Sequence, residues 1–394
     1  MLMPSFVRSL LSLAVCGLIV SCVAHGPEPR LTPAQAPDAA AHPWADSTAQ
    51  GPESEIYRTW LRYLESKAGQ YSVGAWKPSP FWLAVEQQQW RVYDLAMAYL
   101  GDSATPEVLN IQPTARDEYR VVTRFREDSA SSPLRSPSVR MTVFALRSGD
   151  GWVFANALPR LTRTWRRETI GPIAYVMEPG YPFDRGRAER AVAFTDSLAT
   201  AFGVPPLQRL AYYLTSSVDE VYRIMGLETD IKWGPVGGVA QPTNHQLFSG
   251  IPTVGEDYRH ELAHIILLPL MGNTSYFVSE GVPSWVGGTT GMDFHTAARG
   301  LATFLVQHPG VSLDSILTGR FPPAQFYPAA AVFIQMVFDQ GGVDAVKALY
   351  DSGSPLEEDF RAKMERLFRG SWPIIVADWR QRALSFASGL RSQR

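Results

Sequence analysis

Cysteine is scarce in this chain, which has only two, Cys16 and Cys22, among its 394 residues. Because one of them lies inside an apolar leader segment, a disulfide framework is excluded. An excess of charge of one sign is also missing, since 36 lysines and arginines stand against 38 aspartates and glutamates. A net charge of −2 creates no strong field for recognising nucleic acid or anionic lipid. The 45% hydrophobic content and the absence of internal repeats instead indicate a globular protein long enough for two domains.

The N-terminal residues predict a targeting segment rather than part of a folded domain. Leu10–Val20 is apolar but too short for a folded membrane span. It runs into Cys22 in a segment that resembles a bacterial lipoprotein box, which implies a signal peptide over residues 1–22 and lipidation of Cys22. The resemblance implies anchorage in the bacterial cell envelope, at the outer membrane or alternatively at the inner one, with Val23 favouring the outer. Cleavage after Ala24, which would give a secreted protein, is the alternative.

The next two segments differ in composition. Residues 23–52 are rich in proline and alanine, which predicts a flexible tether. Residues 53–168 predict an α+β accessory domain, with helices over Glu55–Lys67 and Phe81–Tyr99. Alternating apolar and polar residues then predict an antiparallel sheet between Glu118 and Glu168, with a hairpin turn at 148–151. This order resembles the cone-shaped nuclear-transport-factor-like domains. A ligand pocket and a mere packing role both stay open for it.

A second domain is predicted over residues 169–390. Its first part predicts a strand over Ile173–Met177, a helix over Arg185–Phe202 and strand material over 237–240 and 245–250. The chain after Gly288 is predicted to be wholly helical, including helices over 328–340 and 342–350. The fold class is therefore α+β throughout, with a small mixed sheet preceding a helical C-terminal lobe.

The most informative motif is His260-Glu261-Leu262-Ala263-His264, followed by Glu280 and Gly281. Histidines four apart on a helix lie on one face, about 6 Å apart along the axis, and can reach one zinc ion. Glu261 is then placed to polarise a water molecule, and Glu280 can supply a third ligand from a following helix. The alternative is a helix with two exposed or capped histidines and an adjacent acidic residue. The helix is apolar nearly all round, which predicts that it is buried, and burying imidazoles without polar partners costs free energy.

These segments resemble the gluzincin metallopeptidases of the thermolysin and aminopeptidase N clan, and above all the peptidase MA-like group. The resemblance implies a thermolysin-like domain, Zn²⁺ as cofactor, a peptide or protein as substrate, His260, His264 and Glu280 as ligands, and Glu261 as general base. Pro283 departs from the family pattern. Because proline is tolerated only in the first turn of a helix, we predict that Glu280 lies at or just before the helix start. Ser284 is a candidate hydrogen-bond partner for a ligand.

Two further residues are candidates for stabilising the oxyanion formed during hydrolysis. Tyr327 precedes Pro328, which predicts a position at a helix start facing a cleft; an ordinary core role is the alternative. His245 lies on the strand material before the metal helix, where a histidine is often merely exposed. In the family this strand forms the sheet edge that pairs with extended substrates, which implies that residues near 237–249 contact a peptide backbone.

Three alternatives to an endopeptidase stay open at this level. One is an aminopeptidase, although the chain shows no segment suited to holding a free amine. Another is a zinc-binding envelope protein without turnover, against which Glu261 argues because a structural site has no use for a base. In the third, the accessory domain carries the main function.

Overall fold

The computed structural model describes residues 50–67, 79–86, 104–127, 139–229, 237–241, 244–289, 291–318 and 321–387. The predicted signal peptide, Cys22 and nearly all of the predicted tether lie outside these ranges. Most of the helix predicted over Phe81–Tyr99 lies outside them as well, and the part that is described forms only a short 3₁₀ turn, Ala84–Glu86. Among the described residues, no helix combines the length and the apolar character needed to cross a bilayer.

The chain forms two compact units. The described elements up to the first boundary, between residues 164 and 165, are α1 Pro52–Lys67, β1 Ala104–Ala115, β2 Glu118–Glu127, β3 Val139–Ser148, β4 Gly151–Asn156 and α2 Leu158–Leu161. Those that follow are β5 Arg166–Ile170, β6 Ile173–Met177, α3 Arg185–Phe202, β7 Leu210–Leu214, α4 Val218–Ile224, β8 Leu227–Thr229, β9 Gly238–Gln241 and β10 Gln246–Ser249. The helices of the C-terminal region are α5 Arg259–Leu267, α6 Tyr276–Gly287, α7 Phe294–Gln307, α8 Leu313–Leu317, α9 Pro323–Leu349, α10 Glu358–Phe368 and α11 Trp372–Ser385.

The first unit is an antiparallel sheet with one long helix. Strands β1 to β4 pair in chain order, and the hairpin predicted at 148–151 is confirmed. The α1 helix buries Trp60, whose indole N–H donates to Thr123 Oγ1 over 2.8 Å and whose ring meets Phe154 edge-on at 4.7 Å. Such aromatic pairs stabilise a core beyond the area that they bury.

Two features of this unit differ from the sequence prediction. The sequence does not predict strand β1, because Pro106 and Pro113 interrupt its pattern. Among the described strands β1 pairs with β2 alone, and such an edge position tolerates proline. Residues 219–229 fall within the predicted second domain, but in the structure they belong to the first unit. The reason is strand pairing, since β8 adds to β3 at Val139–Met141 beside the stretch that pairs with β4.

The second unit contains a mixed five-stranded sheet in the order β5-β6-β7-β10-β9. Strands β6, β7 and β10 run parallel, with β5 and β9 antiparallel at the two ends. The predicted strand over Ile173–Met177 and the predicted helix over Arg185–Phe202 are confirmed to the residue. The molecule is thus α+β, with an antiparallel sheet and a helical C-terminal region, as expected.

The helical region positions the candidate site. Helix α9 carries an extended series of buried residues against α6, and it breaks at Gly342, whose φ of 66° and ψ of −160° are not helical. This break separates the two helices that the sequence predicts over 328–340 and 342–350. Close packing between α6 and α9 depends on Gly281, where a Cβ would lie only 3.0 Å from the Cβ of Ala330.

Candidate metal centre

Helix α5 places the two motif histidines side by side. His260 and His264 lie one turn apart in a helix whose residues 260–267 are all buried. Their Nε2 atoms are 3.2 Å apart, and the ring centroids are 4.9 Å apart. The predicted sharing of one helix face is therefore confirmed.

Helix α6 brings Glu280 to the same point. Its Oε2 lies 3.3 Å from His260 Nε2 and 3.6 Å from His264 Nε2, and its side chain is fully buried. The prediction that Glu280 lies at or before the helix start is wrong. The helix begins at Tyr276, because the side chain of Ser275 caps it by accepting from the backbone N–H of Val278. Pro283 consequently lies in the helix interior, at the expense of one backbone hydrogen bond.

The three donor atoms fit a tetrahedral metal ion. Zinc bound at about 2.0–2.1 Å separates neighbouring tetrahedral ligand atoms by about 3.3–3.4 Å. The observed separations of 3.2, 3.3 and 3.6 Å lie close to that value. Two imidazoles and one carboxylate are also a donor set that zinc uses when it keeps an open position. Among the described residues, His260, His264 and Glu280 form the one histidine, cysteine and carboxylate group spaced for a shared ion.

A second contact fixes the orientation of His260. Its Nδ1 lies 2.8 Å from the backbone oxygen of Gly288, which ends helix α6. A carbonyl can only accept, so Nδ1–H donates and the lone pair of Nε2 faces the cluster. Gly288 has a φ of 79°, and a Cβ there would meet the backbone oxygen of Met292 at 2.1 Å. Glycine is therefore required at this position.

Helices α5 and α6 approach each other closely at Gly287. A Cβ on this residue would lie 2.5 Å from the backbone carbon of Arg259 and from the backbone nitrogen of His260. Gly287 shares a face of α6 with Glu280 and Ser284, since the three are spaced by four and three residues. The absence of a side chain at Gly287 therefore sets how near the carboxylate of Glu280 comes to the histidines.

The close contact of His260 and Glu280 in a buried place shifts the pKa of both side chains. Burial alone would lower the pKa of His260, but its contact with Glu280 and the charges of Glu261 and Glu280 raise it above the ordinary value. Burial alone would raise the pKa of Glu280, but both histidines lower it. Without a metal, a proton on His260 would compensate the buried carboxylate. A bound cation would supply the same compensation more fully.

Glu261 lies outside the ligand cluster but inside the same buried region. Its side chain is fully buried, and neither carboxylate oxygen has a hydrogen-bond partner among the described residues. The same holds for the hydroxyl of Ser284, so the predicted hydrogen bond from Ser284 to a ligand is not present. Leaving buried polar atoms unpaired costs about 1–3 kcal/mol each, which indicates a place for water or another polar group.

Tyr327 lies beside His260, although its position within helix α9 differs from the prediction. Its ring centroid lies 5.9 Å from that of His260, and its hydroxyl lies 3.0 Å from the hydroxyl of Tyr276. The prediction of a helix start at Tyr327 is wrong, because α9 already begins at Pro323 and Pro328 lies within it. The side chain is 1% exposed.

His245 is not brought into the cluster. It lies in the turn before β10, is exposed, and has a φ of 51°, so the prediction that it belongs to a strand is wrong. The expected sheet edge is also placed differently. Strand β10, which precedes helix α5, pairs with a strand on each side, whereas β9 has only β10 as a partner among the described strands. Of the region 237–249, only β9 thus presents an edge, and its Gly238 packs directly beneath the ring of Tyr258.

Two aromatic residues of the site have no clear local signal in the sequence. Tyr276 and Tyr350 are separate aromatic residues in the chain, yet Tyr276 meets Tyr327, and burial together with the charge of Glu280 raises the pKa of Tyr350. The adjacent Gly287 and Gly288 are a signal that could have been used, because paired glycines at a helix end mark a close backbone approach. No protein-family model matches this chain, and neither the curated proteins nor the solved structures gave a significant match to it.

Proposed function

We propose that this chain is a zinc-dependent peptidase that hydrolyses peptide bonds with Glu261 as general base. The observation that carries the proposal is the convergence of His260, His264 and Glu280 at tetrahedral ligand spacing, with the unpaired carboxylate of Glu261 buried beside them. A zinc ion held there would lower the pKa of water and polarise a substrate carbonyl.

The remaining chemistry falls to side chains of the chain itself. The Glu261 carboxylate would accept a proton from the attacking water and return it to the leaving amine. The Tyr327 hydroxyl, oriented by Tyr276, would donate to the oxyanion. Strand β9 has a single partner among the described strands, so the backbone groups on its other edge could pair with an extended peptide. His245, exposed in a turn, has no part in this proposal.

A thermolysin-like architecture belongs to the same proposal. A mixed sheet precedes the helix with both histidines, a second helix carries the carboxylate, and a helical region follows, which is the order expected of gluzincins. We also retain the proposal that Cys22 anchors the protein by lipid in a bacterial cell envelope, although that residue lies outside the described part of the chain. The substrate is then a peptide or protein of the envelope.

A glutamate-to-glutamine exchange tests the proposal. Purified wild type, Glu261→Gln and the control Glu189→Gln, altered on an exposed part of α3, are assayed for zinc content and for cleavage of a peptide library. We expect one zinc per chain in all three and a loss of cleavage of roughly 100-fold to 10,000-fold in Glu261→Gln alone. Wild type that holds zinc but cuts no peptide would support the non-catalytic alternative instead.

The same library separates two modes of cleavage. Peptides are offered with free and with acetylated N-termini. Because an aminopeptidase must bind the free amine, it cannot cut acetylated peptides, whereas an endopeptidase can. We propose the endopeptidase, and cleavage restricted to free N-termini would replace it by the aminopeptidase.

A further inference from the structure

The loop that leads into the metal helix is clamped by an arginine from another helix. Arg187, in the first turn of α3, donates from Nη1 to the backbone oxygens of Pro252 and Thr253 over 3.3 and 3.0 Å. Its Nε lies 2.9 Å from Oε2 of Glu256, whose side chain is fully buried. One guanidinium thus holds the loop 251–258 at three points, which its planar arrangement of donors permits.

The sheet and the start of α3 hold the same loop. The hydroxyl of Tyr212, on β7, donates to the backbone oxygen of Gly255 over 2.5 Å, and that of Tyr175, on β6, donates to the backbone oxygen of Glu256 over 3.3 Å. The backbone N–H of Asp184 donates to Oε1 of Glu256 over 2.8 Å. Gly255 has a φ of 55° and no room for a side chain, because a Cβ would lie 2.8 Å from the Tyr181 hydroxyl.

This clamping matters because helix α5 has no side-chain cap of its own. Its N-terminal flanking residue, Tyr258, makes no capping hydrogen bond, and the helix begins immediately afterwards. His260 and Glu261 lie in its first turn. The direction in which α5 leaves the loop therefore depends on how the loop is held, and the ring of Tyr258 meets Gly238 of the β9 edge at the same point.

We infer that Arg187 is a positioning residue of the metal centre, which acts through Glu256 and the loop 251–258 to hold His260 in the ligand geometry before metal binds. The inference rests on the proposed function, because it assigns a role relative to the same metal site. Arg187 itself contacts neither His260 nor His264 in any hydrogen bond or ion pair found among the described residues. Its effect is on metal affinity through a preorganised backbone.

A purely structural role predicts something different. Removing Arg187 leaves the buried carboxylate of Glu256 without its cation. An uncompensated buried charge lowers the free energy of unfolding whether or not a metal site lies nearby. The double variant Arg187→Met/Glu256→Gln distinguishes the two roles. It removes the uncompensated charge of Glu256, but like Arg187→Met alone it lacks the contacts of Arg187 to the Pro252 and Thr253 oxygens. Stability and zinc affinity should therefore respond differently to the second substitution.

The experiment compares Arg187→Met, Arg187→Met/Glu256→Gln and the matched control Arg380→Met. Arg380 also donates to two backbone oxygens in this unit, those of Val311 and Leu305, but it lies on α11, and no hydrogen bond found among the described residues joins it to the loop. Zinc dissociation constants are measured by competition with a chromophoric chelator, well below the melting temperature of each variant. Melting temperatures of the metal-free proteins are measured in parallel.

We expect Arg187→Met to weaken zinc binding roughly tenfold, as loss of an outer-shell partner does. The double variant should regain melting temperature without regaining zinc affinity, and Arg380→Met should lose melting temperature with zinc affinity unchanged. Wild-type affinity in Arg187→Met, or affinities that follow the melting temperatures across all variants, would overturn the inference. If Arg187→Met does not fold, Arg187→Lys, which keeps the charge but not the planar fork, replaces it in the same comparison. Wild type that binds no zinc would overturn the proposed function itself.

Discussion

A single methyl group at Gly287 should disrupt the metal centre from outside its ligand set. In Gly287→Ala the new Cβ would lie 2.5 Å from backbone atoms of Arg259 and His260, where ordinary contact begins at 3.4 Å. Because both neighbours are backbone, the helices α5 and α6 must separate by about 1 Å to relieve the overlap. Metal sites tolerate deviations of about 0.2 Å in ligand distance, so Glu280 would be drawn out of range of the shared ion.

The expected loss is large in affinity and moderate in stability. Zinc affinity should fall by at least about a hundredfold, the upper end for changes outside the ligand shell. Overpacking should lower the free energy of unfolding by about 1–3 kcal/mol, partly offset by the better helix propensity of alanine. Chelator competition measures the first quantity, and denaturant unfolding of the metal-free protein measures the second.

The matched control is Gly300→Ala in α7. Gly300 is exposed and has nothing within 4 Å of a built Cβ, so this variant should gain about 0.5–1 kcal/mol of stability and leave zinc affinity unchanged. Gly287→Ala that binds zinc as tightly as wild type would refute the reasoning, since the ligand geometry would then not depend on the close helix contact.

Three other predictions concern the centre itself. The pKa of His260 is raised above its ordinary value of 6.5, so protonated His260 stabilises the metal-free fold fully below pH 6.5, and this stabilisation is lost as pH rises through the raised pKa. The pKa of Glu280 is lowered from 4.5, so its carboxylate stabilises the fold fully above pH 4.5, and this stabilisation is lost as pH falls through the lowered pKa. In denaturant unfolding of the metal-free protein, the combined contribution of His260 and Glu280 to the free energy of unfolding should be greatest between pH 4.5 and pH 6.5. Zinc affinity should rise with pH as His260 loses its proton, and a zinc affinity independent of pH would contradict this prediction. Tyr327→Phe should lower kcat on the order of a hundredfold with KM and zinc content retained, whereas a change in KM alone would rule out an oxyanion contact. Zinc at about 1,000 times its dissociation constant should add about 4 kcal/mol of stability to wild type and far less to His264→Ala, as thermal melts with and without chelator would show; equal gains would place the ion elsewhere.

Local spacing was enough to predict that the two motif histidines lie together on one face of a helix. His260 and His264 are four residues apart on one helix, and this relation survives any tertiary arrangement once the helix forms. Glu280 could be identified as a ligand candidate from its motif, but its place in α6 could not. Proline at 283 argues for a helix start nearby, whereas burial against α9 at Gly281 holds the helix intact around it. Tertiary packing outweighs local propensity here.

Pairing between distant strands was the main obstacle to predicting the fold. Leu227–Thr229 reads as a short strand of either domain, and only its register with Val139–Met141 assigns it to the first unit. Similarly, nothing near Arg187 in the chain points to a loop 65 residues further on, although that contact orients the helix of the candidate site. Such contacts depend on the completed topology rather than on sequence periodicity.

The central claim is a zinc ion with three protein ligands and one open position. X-ray absorption at the zinc edge of the loaded protein tests it most directly. We expect one zinc per chain, surrounded by two imidazole nitrogens and by oxygens from Glu280 and solvent at about 2.0–2.2 Å. In His264→Ala one imidazole should disappear from that shell. A site filled by four protein ligands, or wild-type protein that retains no zinc, would contradict it.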